Sequence, residues 1–178
     1  MTSTARMPRN RFLSIYLNDH LAGSTTGVEL ARGLAAAAGA GPAGRILGEL
    51  SAEIGQDRAS LLEIMSRLEV KPRLYKRAGG WLAEKVRRVK LNGTLGTRSP
   101  LTSLIELELL QLGVEGKAAG WRALRRLSDH EPRLDPAQLN ELIARARQQA
   151  EQLEDLRIRA ARRALAVPAG GAVAQAVR

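Results

Sequence analysis

Apolar residues recur at helical spacing in four long stretches of the chain, and none of these stretches keeps the alternation of a β-strand. In the second stretch, apolar side chains stand every three or four residues from Ile46 to Leu68, which is the period of one face of an α-helix. The first stretch opens at Asn10, a residue suited to capping a helix, and glycines and a proline break it after about Ala38. The pattern predicts a helix in each stretch.

Proline and capping residues mark where the other predicted helices begin. Pro42 suits the first turn of the second helix. Ser99 followed by Pro100 is a cap and first-turn pair, and Asp135 with Gln138 three residues later is a capping-box arrangement. The predicted helices therefore cover about residues 10–38, 42–68, 100–129 and 136–167.

The connection between the second and third helices is much longer than the other two. It predicts two antiparallel helical hairpins joined by a crossover over residues 70–98, and residues 73–90 can form a shorter helix within it. That helix would turn five apolar residues to the bundle: Ala78, Trp81, Leu82, Val86 and Val89. We expect one domain over residues 10–167, a flexible N-terminus over 1–9 and a disordered tail over 168–178.

This helix number, the similar helix lengths and the crossover position resemble the ferritin-like superfamily, in particular its small bacterial bundle proteins of unknown function. The resemblance covers residues 10–166 and implies an all-α, ferritin-like four-helix bundle. Two other arrangements stay open: a three-helix bundle with a long arm, and an elongated helical hairpin that dimerises.

The metal chemistry of that superfamily requires a definite ligand set. Its di-iron members supply a Glu from each of two helices and a Glu-x-x-His motif from each of the other two. No Glu-x-x-His occurs in this chain, and the nearest matches begin at Glu53, Glu108 and Glu151. We therefore expect no complete di-metal centre and no cofactor.

Five side chains are nevertheless candidates for a degenerate metal site. Asp19 and His20 are adjacent, so they point about 100° apart on a helix and cannot easily serve one site together. Glu53, Asp57 and Glu108 interrupt apolar stripes, and a buried carboxylate needs a cation, a proton or an arginine. We favour a polar core over a metal site, with three arginines as candidate partners: Arg58, Arg145 and Arg147.

Small residues at intervals of four form a strip along the first helix: Gly23, Gly27 and Ala31. Such a strip lets another helix approach closely, and an exposed glycine in a helix costs about 1 kcal/mol against alanine. We expect the strip to pack closely, either inside the bundle or across a dimer. The third helix has a similar series at Gly113, Gly116 and Gly120.

Composition changes this picture in one place, because the net charge of +10 is concentrated in the crossover. Residues 71–98 hold one acid, Glu84, and nine bases: Lys71, Arg73, Lys76, Arg77, Lys85, Arg87, Arg88, Lys90 and Arg98. Such a segment can bind phosphate groups of nucleic acid or of another anion. We favour the alternative of a solvated face, since few aromatic residues lie among these bases to stack on nucleotides.

No catalytic motif stands out. The chain has no cysteine, and the turn sequence GAGPAG follows a predicted helix instead of the strand that a dinucleotide-binding loop requires. We expect a cytoplasmic, non-catalytic interaction or stress-related protein that forms a homo-oligomer, in particular a dimer, without a membrane segment. Two alternatives stay open: a metal-binding ferritin relative, and a basic protein that binds nucleic acid non-specifically.

Overall fold

The computed structural model describes residues 10–73 and 99–166 of the chain. This part of the chain folds into four α-helices without a strand: α1 (Asn10–Ala38), α2 (Pro42–Arg67), α3 (Pro100–Leu127) and α4 (Pro136–Leu165). The all-α prediction is confirmed. None of the helices in these two ranges is long and apolar enough to cross a membrane. The predicted crossover helix and both predicted flexible ends lie outside the described residues.

The helix starts follow from their local sequence. The side chain of Ser99 accepts a hydrogen bond from the Leu101 amide at 3.3 Å, and Asp135 Oδ1 accepts one from the Ala137 amide at 2.8 Å. These contacts satisfy N–H groups that have no partner within the first helical turn. The predicted capping box is incomplete, because the Gln138 side chain instead accepts a hydrogen bond from Arg67 of α2.

The turn between α1 and α2 depends on two glycines. Gly39 has φ of +67°, a conformation that glycine adopts without the steric cost of a Cβ. At Gly44, in the first turn of α2, an added Cβ would lie 1.7 Å from the carbonyl oxygen of Gly39. The short connection therefore requires glycine at both positions.

Each helix packs on two others: α1 on α2 and α3, and α4 on α2 and α3. Polar contacts show which residues of neighbouring helices lie at the same height along the bundle. Arg58 of α2 reaches Thr25 of α1, and Gln111 of α3 reaches Glu154 of α4.

The buried interior consists of two apolar clusters. One includes Leu17, Leu61, Ile64, Trp121 and Leu142, and the other includes Val28, Leu50, Leu110, Val114 and Leu153. Asp57 lies between Ile54 and Leu61 on α2, and those two residues belong to different clusters. A layer of polar side chains around Asp57 thus separates the two clusters.

Apolar residues of α3 lie on both its outer and its inner face. Leu101 and Leu112 are exposed, and Leu112 keeps 65% of its surface in solvent. Leu107, Leu110 and Val114 are buried. Leucines occur on every side of this helix, so its own periodicity does not identify the inner face.

A buried amide fixes the chain where it leaves α2. Asn18, on α1, is fully buried. Its Nδ2 donates to the carbonyl oxygens of Ser14 at 2.8 Å and Lys71 at 3.3 Å, and its Oδ1 accepts from the Arg73 amide at 2.5 Å. The segment that opens the crossover is thereby attached to α1.

Candidate functional site

Asp57 is the centre of the polar layer. Its side chain is 1% exposed, and two helices, α3 and α4, supply its partners. Lys117 of α3 donates to Oδ2, and Arg145 of α4 donates to Oδ1 from Nε at 2.7 Å. Gln149, one turn further along α4, donates to Oδ2 at 3.2 Å. Two cations therefore neutralise one buried carboxylate.

Gln149 connects this layer to a second carboxylate. The amide is fully buried, and its Nε2 donates to Glu53 Oε2 at 3.0 Å as well as to Asp57. Its Oε1 accepts from Lys117. Because the amide both donates and accepts, it links the two carboxylates to the ammonium group, and its oxygen and nitrogen are both used.

Burial dominates the electrostatics of Lys117. Loss of solvent lowers the pKa of its ammonium group, and Arg145 lowers it further, while Asp57 and Glu53 oppose the shift. A buried ammonium group is costly unless it is paired. Its contact with Asp57 is therefore what keeps a charged lysine in this position.

The five candidate metal ligands do not form one site. Glu108 is half exposed and lies 3.7 Å from Arg157, so the described structure does not bring this candidate together with Glu53 and Asp57. Asp19 is exposed, and His20 lies on the α1–α3 side of the molecule. Within the described ranges, no three His, Asp or Glu side chains are placed to share a metal ion.

Lys117 and Gln149 are the members of the layer that the sequence analysis missed. Gln149 stands in the apolar stripe of α4 that includes Leu142, Ala146 and Leu153, so a polar residue on a buried face was the available signal. Lys117 gave a weaker signal, since a lysine among glycines is ordinarily solvent-exposed. Of the three arginines considered, Arg145 is the one that binds Asp57.

An apolar groove of about 550 Å³ lies beside this layer, mainly between α1 and α3. Most of its surface is carbon, from residues that include Leu30, Ile54, Leu109 and Trp121. Glycines from both helices line it: Gly23, Gly27, Gly113, Gly116 and Gly120. Lys117 and Asp57 line it as well, so the polar layer reaches the groove.

The glycine strip does not pack against another helix among the described residues. A Cβ added at Gly23 or Gly27 would have no neighbour within 4 Å, and the same holds for Gly113 and Gly116. The described residues therefore show no close packing at the two glycines of α1, whereas Ala31 is fully buried as expected of a packed residue. Packing of the strip across a dimer stays a prediction.

His20 of α1 reaches across the groove to Gly120 of α3. Its Cε1 lies 2.9 Å from the position that a Cβ on Gly120 would take, and its ring contacts Tyr16 edge-on with centroids 4.5 Å apart. Burial lowers the pKa of His20, and Asp19 opposes this shift. The absence of a side chain at residue 120 is what gives the imidazole its place.

One donor in the groove lining has no partner. Trp121 is 3% exposed, and its indole Nε1–H makes no hydrogen bond to the described part of the chain. It stands four residues after Lys117, so both side chains occupy the same face of α3. Buried donors normally find an acceptor in the protein, in water or in a ligand.

The predicted anion-binding segment is described at its start alone. Lys71 and Arg73 are exposed. The other seven bases lie outside the described residues: Lys76, Arg77, Lys85, Arg87, Arg88, Lys90 and Arg98.

Comparison with protein-family models, with curated proteins and with solved structures found no match. The function is therefore argued from the groove and the polar layer themselves.

Proposed function

We propose that this chain is a non-catalytic binding protein, and that the groove between α1 and α3 holds an apolar molecule. The observation that carries the proposal is the groove itself, with a volume of about 550 Å³, carbon-rich walls and four glycines that no described side chain covers. Small-molecule sites typically enclose about 300–1,000 Å³ and combine apolar walls with a few polar groups.

The glycines support this proposal because they make the helices less stable than alanine would. Each glycine inside a helix reduces stability by about 1 kcal/mol relative to alanine. No described atom lies close enough to exclude a Cβ at Gly23, Gly27, Gly113 or Gly116. A molecule bound in the groove would explain why these positions hold glycine, because side chains there would fill the space that the molecule occupies.

The polar layer supports a role in binding more than in catalysis. Both oxygens of Asp57 are occupied, by Arg145 on one side and by Lys117 and Gln149 on the other. A general base or a nucleophile must have an accessible lone pair or an activated hydroxyl, thiol or amine. The Asp57 carboxylate is instead held in fixed hydrogen bonds.

The ferritin-like arrangement belongs to this proposal. Contacts of α2 with α4 join Arg67 to Gln138 and Asp57 to Arg145, so residue numbers rise along one helix as they fall along the other. The contacts of α1 with α2 and of α3 with α4 follow the same rule. Two antiparallel hairpins joined by one long crossover account for these contacts.

Fluorescence of Trp121 tests the binding function directly. The second tryptophan, Trp81, is replaced by phenylalanine, so that emission comes from the groove lining alone. We expect 1-decanol, an uncharged apolar probe, to change the intensity and wavelength of this emission with saturation. The variant Gly27→Leu fills part of the groove and should weaken the response at least tenfold. No saturable response in the Trp81→Phe protein would contradict the proposal.

Self-association is a second candidate role. The described residues leave the apolar walls of the groove uncovered, and exposed apolar surface of this kind marks protein interfaces. Light scattering on a size-exclusion column measures the mass. If a dimer closes the groove, 1-decanol should dissociate it, whereas a dimer formed elsewhere should be indifferent to the probe.

Non-specific binding of nucleic acid is a further candidate with a simple test. Non-specific binding of duplex DNA through the basic segment would weaken steeply with salt, with a slope of about −0.9 in log affinity for each phosphate neutralised.

A further inference from the structure

We propose that the occupant of the groove is an apolar carboxylate whose head group lies against Lys117, an inference that rests on the binding function proposed above. A fatty acid or an arylalkanoic acid belongs to this class. The argument has three parts: charge, hydrogen-bonding capacity and length.

One cation of the groove lining forms no ion pair with a described carboxylate. Arg58 lines the groove, and the described residue that it bonds to is the neutral Thr25, through Nε at 3.2 Å. Asp19 lines the groove as well, so its two acids and two bases balance, and a ligand carboxylate would give the Arg58 guanidinium group an ionic partner.

Hydrogen-bonding capacity points to the same position. The ammonium group of Lys117 carries three N–H donors, and the described contacts use two of them, for Asp57 and Gln149. The indole N–H of Trp121, one turn further along α3, has no acceptor among the described residues. A carboxylate offers two oxygens and about four lone pairs, so it can accept from both side chains.

The length of the groove sets the size of the apolar part. Along α3 the lining extends from Leu109 to Leu124, with Lys117 near the middle. At 1.5 Å per residue each arm is about 10–12 Å long. An extended chain of single bonds advances about 1.2 Å per bond, since three backbone bonds span about 3.3–3.6 Å. One arm therefore accommodates an acyl chain of about ten carbons.

Isothermal titration calorimetry with three probes of equal chain length tests the head group: sodium decanoate, 1-decanol and decylammonium chloride. We expect wild-type protein to bind decanoate at least tenfold more tightly than decylammonium at pH 7. Lys117→Met should weaken decanoate binding about tenfold or more and leave 1-decanol binding within about twofold. A lysine with a purely structural role would change the affinity for both probes together.

The controls separate this inference from general effects of charge and from misfolding. Arg147→Gln removes one positive charge from an exposed position on α4, and it should leave all three affinities within about twofold. If Lys117→Met does not fold, Arg58→Gln is the test variant. It should weaken the binding of decanoate about threefold or more and leave the affinities for the other two probes unchanged.

Each remaining outcome is decisive. Equal affinity for all three probes, with no selective effect of Lys117→Met or Arg58→Gln, overturns the carboxylate inference and leaves the binding function in place. Binding of none of the probes overturns both proposals.

Discussion

Replacing Asp57 by alanine should be among the most destabilising single changes in the described part of the chain. The side chain is 1% exposed, and it accepts hydrogen bonds from Lys117, Arg145 and Gln149. Its removal leaves two cations without the carboxylate that neutralises them. Breaking a buried ion pair by removing one partner costs about 3–5 kcal/mol.

The expected cost lies at the lower end of that range. The side chains of Arg145 and Lys117 are 31% and 14% exposed, so both can turn partly towards water once Asp57 is gone. We therefore expect a loss of about 3 kcal/mol in the free energy of unfolding. For a protein of this length, that corresponds to a fall in melting temperature of about 6–12 °C.

Urea denaturation followed by circular dichroism at 222 nm measures this loss through linear extrapolation. Asp57→Asn keeps the shape and one carbonyl acceptor but removes the charge, so its cost should be intermediate. Glu108→Ala is the matched control, because this half-exposed carboxylate contacts Arg157 at 3.7 Å and should cost less than about 1 kcal/mol. Equal costs for Asp57→Ala and Glu108→Ala would refute the account of the polar layer.

The other predictions concern backbone geometry, a buried amide and a surface carboxylate. Gly27→Ala should raise the free energy of unfolding by about 1 kcal/mol, since the added Cβ meets nothing within 4 Å. Gly44→Ala should lower the free energy of unfolding by about 1–3 kcal/mol, because its Cβ clashes with the preceding turn. Thermal melts of the two variants measure both changes. Asn18→Ala removes contacts with three backbone groups and should cost about 1–3 kcal/mol, with faster hydrogen exchange where the crossover begins. Hydrogen bonds from Arg133 lower the pKa of Glu131 to about 2. A lowered folded-state pKa contributes stability that is present above the unfolded-state pKa and is lost as pH falls through about 2. An NMR titration of the carboxyl group should show this pKa, and Arg133→Gln should raise it towards 4.5.

Helix starts were predictable because their signals are local. Pro42, Pro100 and Pro136 each stand at the first position of a helix, where a missing N–H costs nothing. The geometry of the turn after α2 was less predictable than the position where the helix ends. Glu69 takes a left-handed conformation with φ of 56°, which is rare for residues other than glycine, and the amide of Val70 bonds back to the Met65 carbonyl at 2.8 Å.

The polar layer was half predictable. A carboxylate inside an apolar stripe identified Asp57, and the requirement for a compensating charge suggested arginine. The contribution of Lys117 depends on which side of α3 faces α2 and α4. Since leucines surround α3, that choice follows from packing against the neighbouring helices and not from the apolar period of the helix.

The groove was not predictable from the glycine spacing. Small residues at intervals of four are required both where two helices pack closely and where a space is left for another molecule. The spacing of Gly23 and Gly27 fits both close packing and an open space, and the distance between α1 and α3 decides between the two. Gly120 is the glycine at which a neighbour, His20, does approach closely.

Glycine amide signals in a ¹⁵N-correlated NMR spectrum test the central claim most directly. Five glycines line the groove, namely Gly23, Gly27, Gly113, Gly116 and Gly120, whereas Gly44, Gly48 and Gly55 on α2 do not. On titration with 1-decanol we expect the five groove signals to shift together along one saturable curve and the three α2 signals to stay in place. Shifts spread equally over both sets, or no shift in the groove set at concentrations approaching the solubility of the probe, would contradict a binding site between α1 and α3.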